Sequence, residues 1–213
     1  MSDPEFSEAP QTAIPSELDK PKLLIGEGKD EVRIFGALLI HLGLDDVKVE
    51  EYGGKDNLPY YLDALVLRPG FANLTSLGVT RDADTDALSA FTSLSNHLNN
   101  REFVTPSSSG NIEAGSPRVG IMILPDGQRS GMLEDVCLDA LQTDLSIRCV
   151  DEYFECVRAT KESLPNLISK ARIHAWLATQ NPPDMRLGIA AQRGFIDWNS
   201  PAFNPLKDFL TAL

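Results

Sequence analysis

The chain holds 213 residues, 42% of them hydrophobic, enough for one domain with a sizeable core. Nineteen Lys and Arg against 31 Asp and Glu leave a formal charge of −12. That balance disfavours a passive nucleic-acid coat, which draws most of its affinity from neutralising phosphates, and a ligand for anionic membranes. A phosphate-bearing substrate would have to be met by a metal ion or a local basic patch.

Residues 1–21 contain four prolines, five acids and a single base, Lys20. So little apolar surface does not offset the entropy of ordering, and the segment reads as a disordered acidic tail. It has neither a basic leader nor an apolar stretch, so no signal peptide is expected. The longest near-apolar run, Ile34 to Leu44, is too short to span a bilayer and contains His41. Cys137, Cys149 and Cys156 form no C-x-x-C pair, which points to reduced thiols and a cytoplasmic setting.

Lys22 to Ile25 is an apolar run of strand length, broken by Gly26-Glu27-Gly28. Val32, Phe35, Leu38, Leu39 and Leu42 then recur at helical spacing up to Gly43. Val47 to Tyr52 reads as a second strand with a Gly53-Gly54 turn, and Tyr60 to Val66 as a helix. Residues 74–80 form a third strand ending at Arg81-Asp82-Ala83-Asp84, followed by an amphipathic helix through Ala87, Phe91, Leu94 and Leu98. Residues 105–118, rich in Ser, Gly and Pro, read as a mobile loop before a strand at Val119 to Leu124. Leu133, Val136, Cys137, Ala140 and Leu141 mark a further helix, and helical patterns continue to 178. Phe195, Trp198, Phe203 and Phe209 are too aromatic for a free tail, so residues 146–213 are expected as a helical extension packed on the same domain. The alternation of strands and helices predicts an α/β fold.

Two segments carry chemistry, each just after a predicted strand, where open α/β sheets bind ligands. In the first, glycines flank Glu27, and Glu31 follows one helical turn later, so both carboxylates can face one point. In the second, alternation along an extended chain puts Asp82 and Asp84 on one side, with Asp86 beyond. Clustered carboxylates repel one another and are easier to understand with a divalent cation between them; all-oxygen ligands suit Mg²⁺ or Mn²⁺.

Glu27 between glycines at one strand end, with Asp82-x-Asp84 at a later one, resembles the Toprim domain of topoisomerases, bacterial primases and overcoming-lysogenisation-defect nucleases. The resemblance covers residues 22–145. It implies a compact, Rossmann-like, mainly parallel sheet with helices on both faces. It also implies Glu27 as general acid/base or metal ligand, and Asp82 and Asp84 as Mg²⁺ ligands. The nuclease branch adds a glutamate at the position of Glu31. Over its whole length the chain resembles small stand-alone bacterial Toprim-related proteins, notably at Leu124 to Glu134 and Asp197 to Phe203.

A topoisomerase's separate tyrosine domain and a primase's template-handling modules have no room here. The resemblance therefore implies metal-assisted phosphodiester hydrolysis, a nuclease acting on DNA or RNA. In this reading Glu27, Asp82 and Asp84 are catalytic, and Glu31, Asp86 and Glu134 complete the metal shell. Lys29 and Arg81 would steady a phosphate. These residues have plainer alternatives: Asp82 and Asp84 as an N-cap and first-turn acids, Glu134 as a first-turn acid, Glu27 as a turn acid, Glu31 as a solvated first-turn residue, and Lys29 and Arg81 as surface charges. Two other functions stay open. One is a non-catalytic or partner-dependent Toprim-like module in a larger, ATPase-containing assembly. The other is a metal-dependent phosphatase or nucleotidase. Nucleic-acid binding without metal is expected to be weak.

Overall fold

The computed structural model describes residues 17–161 and 163–213. Most of the expected tail, residues 1–16, lies outside them. Its last residues are docked: Leu18 is buried, and its N–H donates to the Pro69 carbonyl at 3.0 Å, so the chain joins the domain ahead of Pro21.

Five strands form one sheet: β1 (Lys22–Gly26), β2 (Val47–Glu51), β3 (Ser76–Asp82), β4 (Ile112–Glu113) and β5 (Arg118–Leu124), in the order β2-β1-β3-β5-β4. All neighbours run parallel except β4, which pairs antiparallel with β5. The expected α/β fold, mainly parallel with helices on both faces, is the observed one. The segment 105–118 is not the free loop its composition suggested. It lays β4 along the sheet edge, with Gly110 N–H donating to the Ile121 carbonyl (2.8 Å) and Ile123 N–H to Ser109 Oγ (2.8 Å). Backbone pairing outweighs composition there.

Strand side chains alternate between two cores. Leu23, Ile25, Leu77, Val79, Val119, Ile121 and Ile123 face helices α2 (Leu58–Val66) and α3 (Ala87–Asn99). Leu24, Met122 and Leu124 face α1 (Lys29–Leu42), α4 (Leu133–Ala140) and the C-terminal helices. Those are α5 (Leu145–Thr160), α6 (Ile168–Leu177), α7 (Leu187–Gln192) and α8 (Asn204–Ala212). Trp176, Phe203 and Phe209 are fully buried in the same cluster as Phe35 and Val136, so the extension shares the domain's core. Gly120 makes the closest approach possible: a Cβ there would lie 2.7 Å from the Phe209 ring. No helix among the described residues is long and apolar enough to cross a membrane.

Candidate functional site

The parallel strands β1 and β3 end side by side, and a cleft of about 500 Å³ opens over their carboxyl ends. Gly26 lets α1 sit directly on the strand end; a Cβ there would lie 2.9 Å from Glu31 Cβ and 3.3 Å from Thr80 Oγ1. Glu31 caps its own helix: its Oε2 accepts from Gly28 N–H at 3.1 Å. The turn after β2 clamps the preceding loop. Gly53 and Gly54 N–H groups donate to the Glu27 carbonyl at 3.1 and 2.9 Å, and Tyr52 N–H to the Gly26 carbonyl at 2.9 Å. This turn takes positive φ at both glycines (78° and 99°), which side-chain-bearing residues adopt only with strain.

Asp82 closes β3. Its Oδ1 accepts from Leu133 N–H at 2.9 Å, so the first free amide of α4 fixes the carboxylate. Burial, and then the charges of Glu31, Glu134 and Glu27, hold the Asp82 carboxyl well above the usual carboxylate range. Glu31 is raised by burial first, and Glu134 and Glu27 also push it up. The four acids Glu27, Glu31, Asp82 and Glu134 all line the cleft, as does Lys29.

The other sequence-predicted residues go elsewhere. Asp84 takes a left-handed conformation (φ 51°) and forms a two-way backbone bridge with Gly131 (2.9 and 2.8 Å), while its carboxylate pairs with Lys55 at 3.4 Å. Asp86 is the N-cap of α3, accepting from Leu88 N–H, Ser89 N–H and Ser89 Oγ at 3.0, 3.1 and 2.6 Å. These bonds hold its carboxyl below the usual range, Ser89 contributing most. Arg81 turns to Ser93 Oγ (3.1 Å). Arg81, Asp84 and Asp86 therefore line a second, smaller pocket of about 290 Å³ rather than the cleft. The strand ends at Asp82, so the alternation that would align Asp82 with Asp84 stops between them.

Two cations of the cleft were not singled out in the sequence, Lys170 of α6 and Arg186, just ahead of α7, and neither were the acids Asp30 and Glu51. Lys170 Nζ lies 3.4 Å from Glu134 Oε1, and that charge chiefly raises the lysine's pKa. Ser169 Oγ donates to Asp135 Oδ1 at 2.5 Å, while Asp135 Oδ2 accepts from Met132 N–H at 2.8 Å. The residue that caps α4 thus also docks α6, and sets Lys170 beside Glu134. No local sequence pattern marks this placement.

The donors are all oxygen, and their mutual repulsion is of the kind a hard divalent cation relieves. Among the described residues no three His, Cys, Asp or Glu side chains are grouped closely enough to hold one ion as they stand. One or two carboxylates completed by water, the usual manner of Mg²⁺, is what the cleft can offer.

Among solved structures, the C-terminal region of the Burkholderia pseudomallei OLD protein is similar at 14% identity, over 91% of this chain and 97% of that one, with a TM-score of 0.47. The hypothetical protein PH0156 from Pyrococcus horikoshii OT3 is similar at 17% identity, over 91% and 95%, with a TM-score of 0.51. The C-terminal region of the Xanthomonas campestris pv. campestris OLD protein gives 13% identity, over 92% and 87%, and a TM-score of 0.39. At these identities the likeness is one of fold. No curated protein matches the chain. Residues 21–213 match the model of the family described as "Protein of unknown function (DUF3226)", and the chain belongs to that family.

Proposed function

We propose that the protein is a Mg²⁺- or Mn²⁺-dependent phosphodiester hydrolase of the Toprim kind, acting as a nuclease on DNA or RNA. One observation carries the reading. Glu27, Glu31, Asp82 and Glu134, from the ends of β1 and β3 and the starts of α1 and α4, line one cleft at the carboxyl edge of a parallel sheet. Asp82 and Glu27 would hold the metal, with Glu31 and Glu134 at its flanks. The bound cation supplies charge stabilisation at the phosphoryl oxygens and a water of lowered pKa.

The chain's own groups do the rest. Leu133 N–H fixes the Asp82 carboxylate. The clamp of Gly53 and Gly54 holds the Glu27 loop, so this ligand would need little reordering to meet the metal. Lys170, kept charged by Glu134 and lining the same cleft, would counter the negative charge that a phosphoryl oxygen gathers. Asp84, Asp86 and Arg81 take no part in this arrangement.

The test is Mn²⁺-dependent cleavage of plasmid and single-stranded DNA or RNA, compared with Asp82→Ala. Equal activity in the two proteins would overturn the reading. The cleft volume, about 500 Å³, is also that of a small-molecule pocket, which favours a phosphatase or nucleotidase as the second reading. Turnover of nucleotides with inert polynucleotides would select it.

A further inference from the structure

Six acids and three cations line the cleft. Lys29, Lys170 and Arg186 all line it, but only Lys170 is committed, to Glu134. Neither Lys29 nor Arg186 has a side-chain hydrogen bond or ion pair among the described residues. An unpaired guanidinium beside so many carboxylates needs a physical reason, and the backbone provides it.

Met185 and Leu187, on either side of Arg186, are both buried, so extended alternation sends Arg186 outward. Two residues on, Gly188 N–H donates to Asp30 Oδ1 at 3.2 Å, and a Cβ on Gly188 would lie 2.7 Å from Arg33 Cβ. Asp30 Oδ1 also lies 3.7 Å from Arg33 Nη1. Asp30, one of the α1 acids at the cleft, is thus engaged by the Gly188 amide and faces Arg33. The segment carrying Arg186 is seated on the first turns of α1 with no room to slide, and its charge lines the cleft without a partner among the described residues.

Resting on the hydrolase reading, we propose that Arg186, assisted by Lys29, binds a second phosphate adjoining the one at the carboxylates. Arg186 is then a specificity-determining residue that selects ligands with two neighbouring phosphates over phosphomonoesters. The guanidinium fork matches a phosphate in two parallel hydrogen bonds, which a lysine cannot reproduce. A cleft of about 500 Å³ has room for a nucleoside between two phosphates. Its carboxylates repel any phosphate that is not on a metal, so the uncommitted cations are the groups left for the second one.

The experiment uses the full chain and calorimetric titration at fixed free Mn²⁺, with thymidine 5′-monophosphate and thymidine 3′,5′-bisphosphate as probes. Mn²⁺ affinity is measured separately in wild type and Asp82→Ala. The bisphosphate is expected to bind about tenfold tighter to wild type. Arg186→Gln should erase that preference without weakening Mn²⁺ binding, and Arg186→Lys should restore part of it. Arg186 is exposed, so neither change threatens folding. If Mn²⁺ binds in an Asp82-dependent way but both probes bind equally, this proposal falls and the hydrolase reading stands. A preference that survives in Arg186→Gln also overturns it. If Mn²⁺ binding ignores Asp82, the hydrolase reading falls, while a preference that still depends on Arg186 supports the proposal.

Discussion

The cleft and the smaller pocket beside it are built from the same short run of sequence, yet they differ in nearly every physical respect. Asp82 lines the cleft and is half-buried, fixed by one amide and raised by the charges of other acids. Asp84 and Asp86 line the smaller pocket, one paired with Lys55 and the other spent on the α3 cap. What separates them is the end of β3 and the left-handed turn at Asp84. The difference teaches that a run of alternating aspartates is not one site: the backbone decides which carboxylates meet and which are neutralised by ordinary local bonds.

The largest effect should fall on activity. Asp82→Ala is expected to lower Mn²⁺-dependent cleavage by ~10³-fold or more, the scale of losing a metal's charge stabilisation. Asp84→Ala should stay within about tenfold of wild type, because the lost partner is an exposed lysine. Equal losses in the two variants, measured as initial rates on the same substrate, would break the distinction between cleft and pocket.

The next effect concerns stability without metal. The Asp82 carboxyl is raised in the folded state by burial and by Glu31, Glu134 and Glu27, so the folded protein holds its proton more tightly than the unfolded chain. The stability linked to this group is therefore complete below the ordinary carboxylate range and is lost as pH rises through the raised pKa. Asp82→Asn keeps an oxygen for Leu133 N–H and removes the charge. Relative to wild type it should gain ~1–3 kcal/mol in denaturant unfolding as pH is brought from about 4 to neutral without divalent metal. Mn²⁺ should narrow the gap by stabilising wild type alone. A gap independent of pH would mean that Asp82 does not feel the neighbouring acids.

The fold was more legible than the site, for reasons visible in particular residues. Leu23, Leu24 and Ile25 are apolar without interruption because both faces of β1 are covered, and the helical spacing from Val32 to Leu42 reports burial of α1 on one side. Such patterns are local, so they survive in the sequence. That Glu27 and Glu31 face one cleft was legible as well, since one helical turn and two glycines relate them. Lys170 was not, because it reaches Glu134 only through the packing of α6 on α4, pinned by Ser169 and Asp135. Arg186 was hidden in the same way behind the contact of Gly188 with Asp30 and Arg33. The segment 105–118 misled in the opposite sense: Ser109 and Gly110 bond to β5 through a hydroxyl and a backbone amide, and Ile112–Glu113 pair with it as a strand.

The smallest effect reverses the sign of the pH argument a short distance along the chain. Asp86 accepts from Ser89 Oγ and from two amides of the first turn of α3, and its carboxyl is held below the usual range. Its contribution is present above the ordinary carboxylate pKa and is lost as pH falls through the lowered one. Asp86→Ala should therefore lower the melting temperature by roughly 2–4 °C at neutral pH, the scale of a lost helix cap in a domain of this size. That deficit should shrink in acid, where wild type loses the cap as well, and Mn²⁺-dependent cleavage should be unchanged. Asp82→Asn and Asp86→Ala thus converge on wild type at low pH from opposite sides. The first is more stable at neutral pH and the second less, because one carboxylate is confined among like charges and the other is satisfied by the start of a helix.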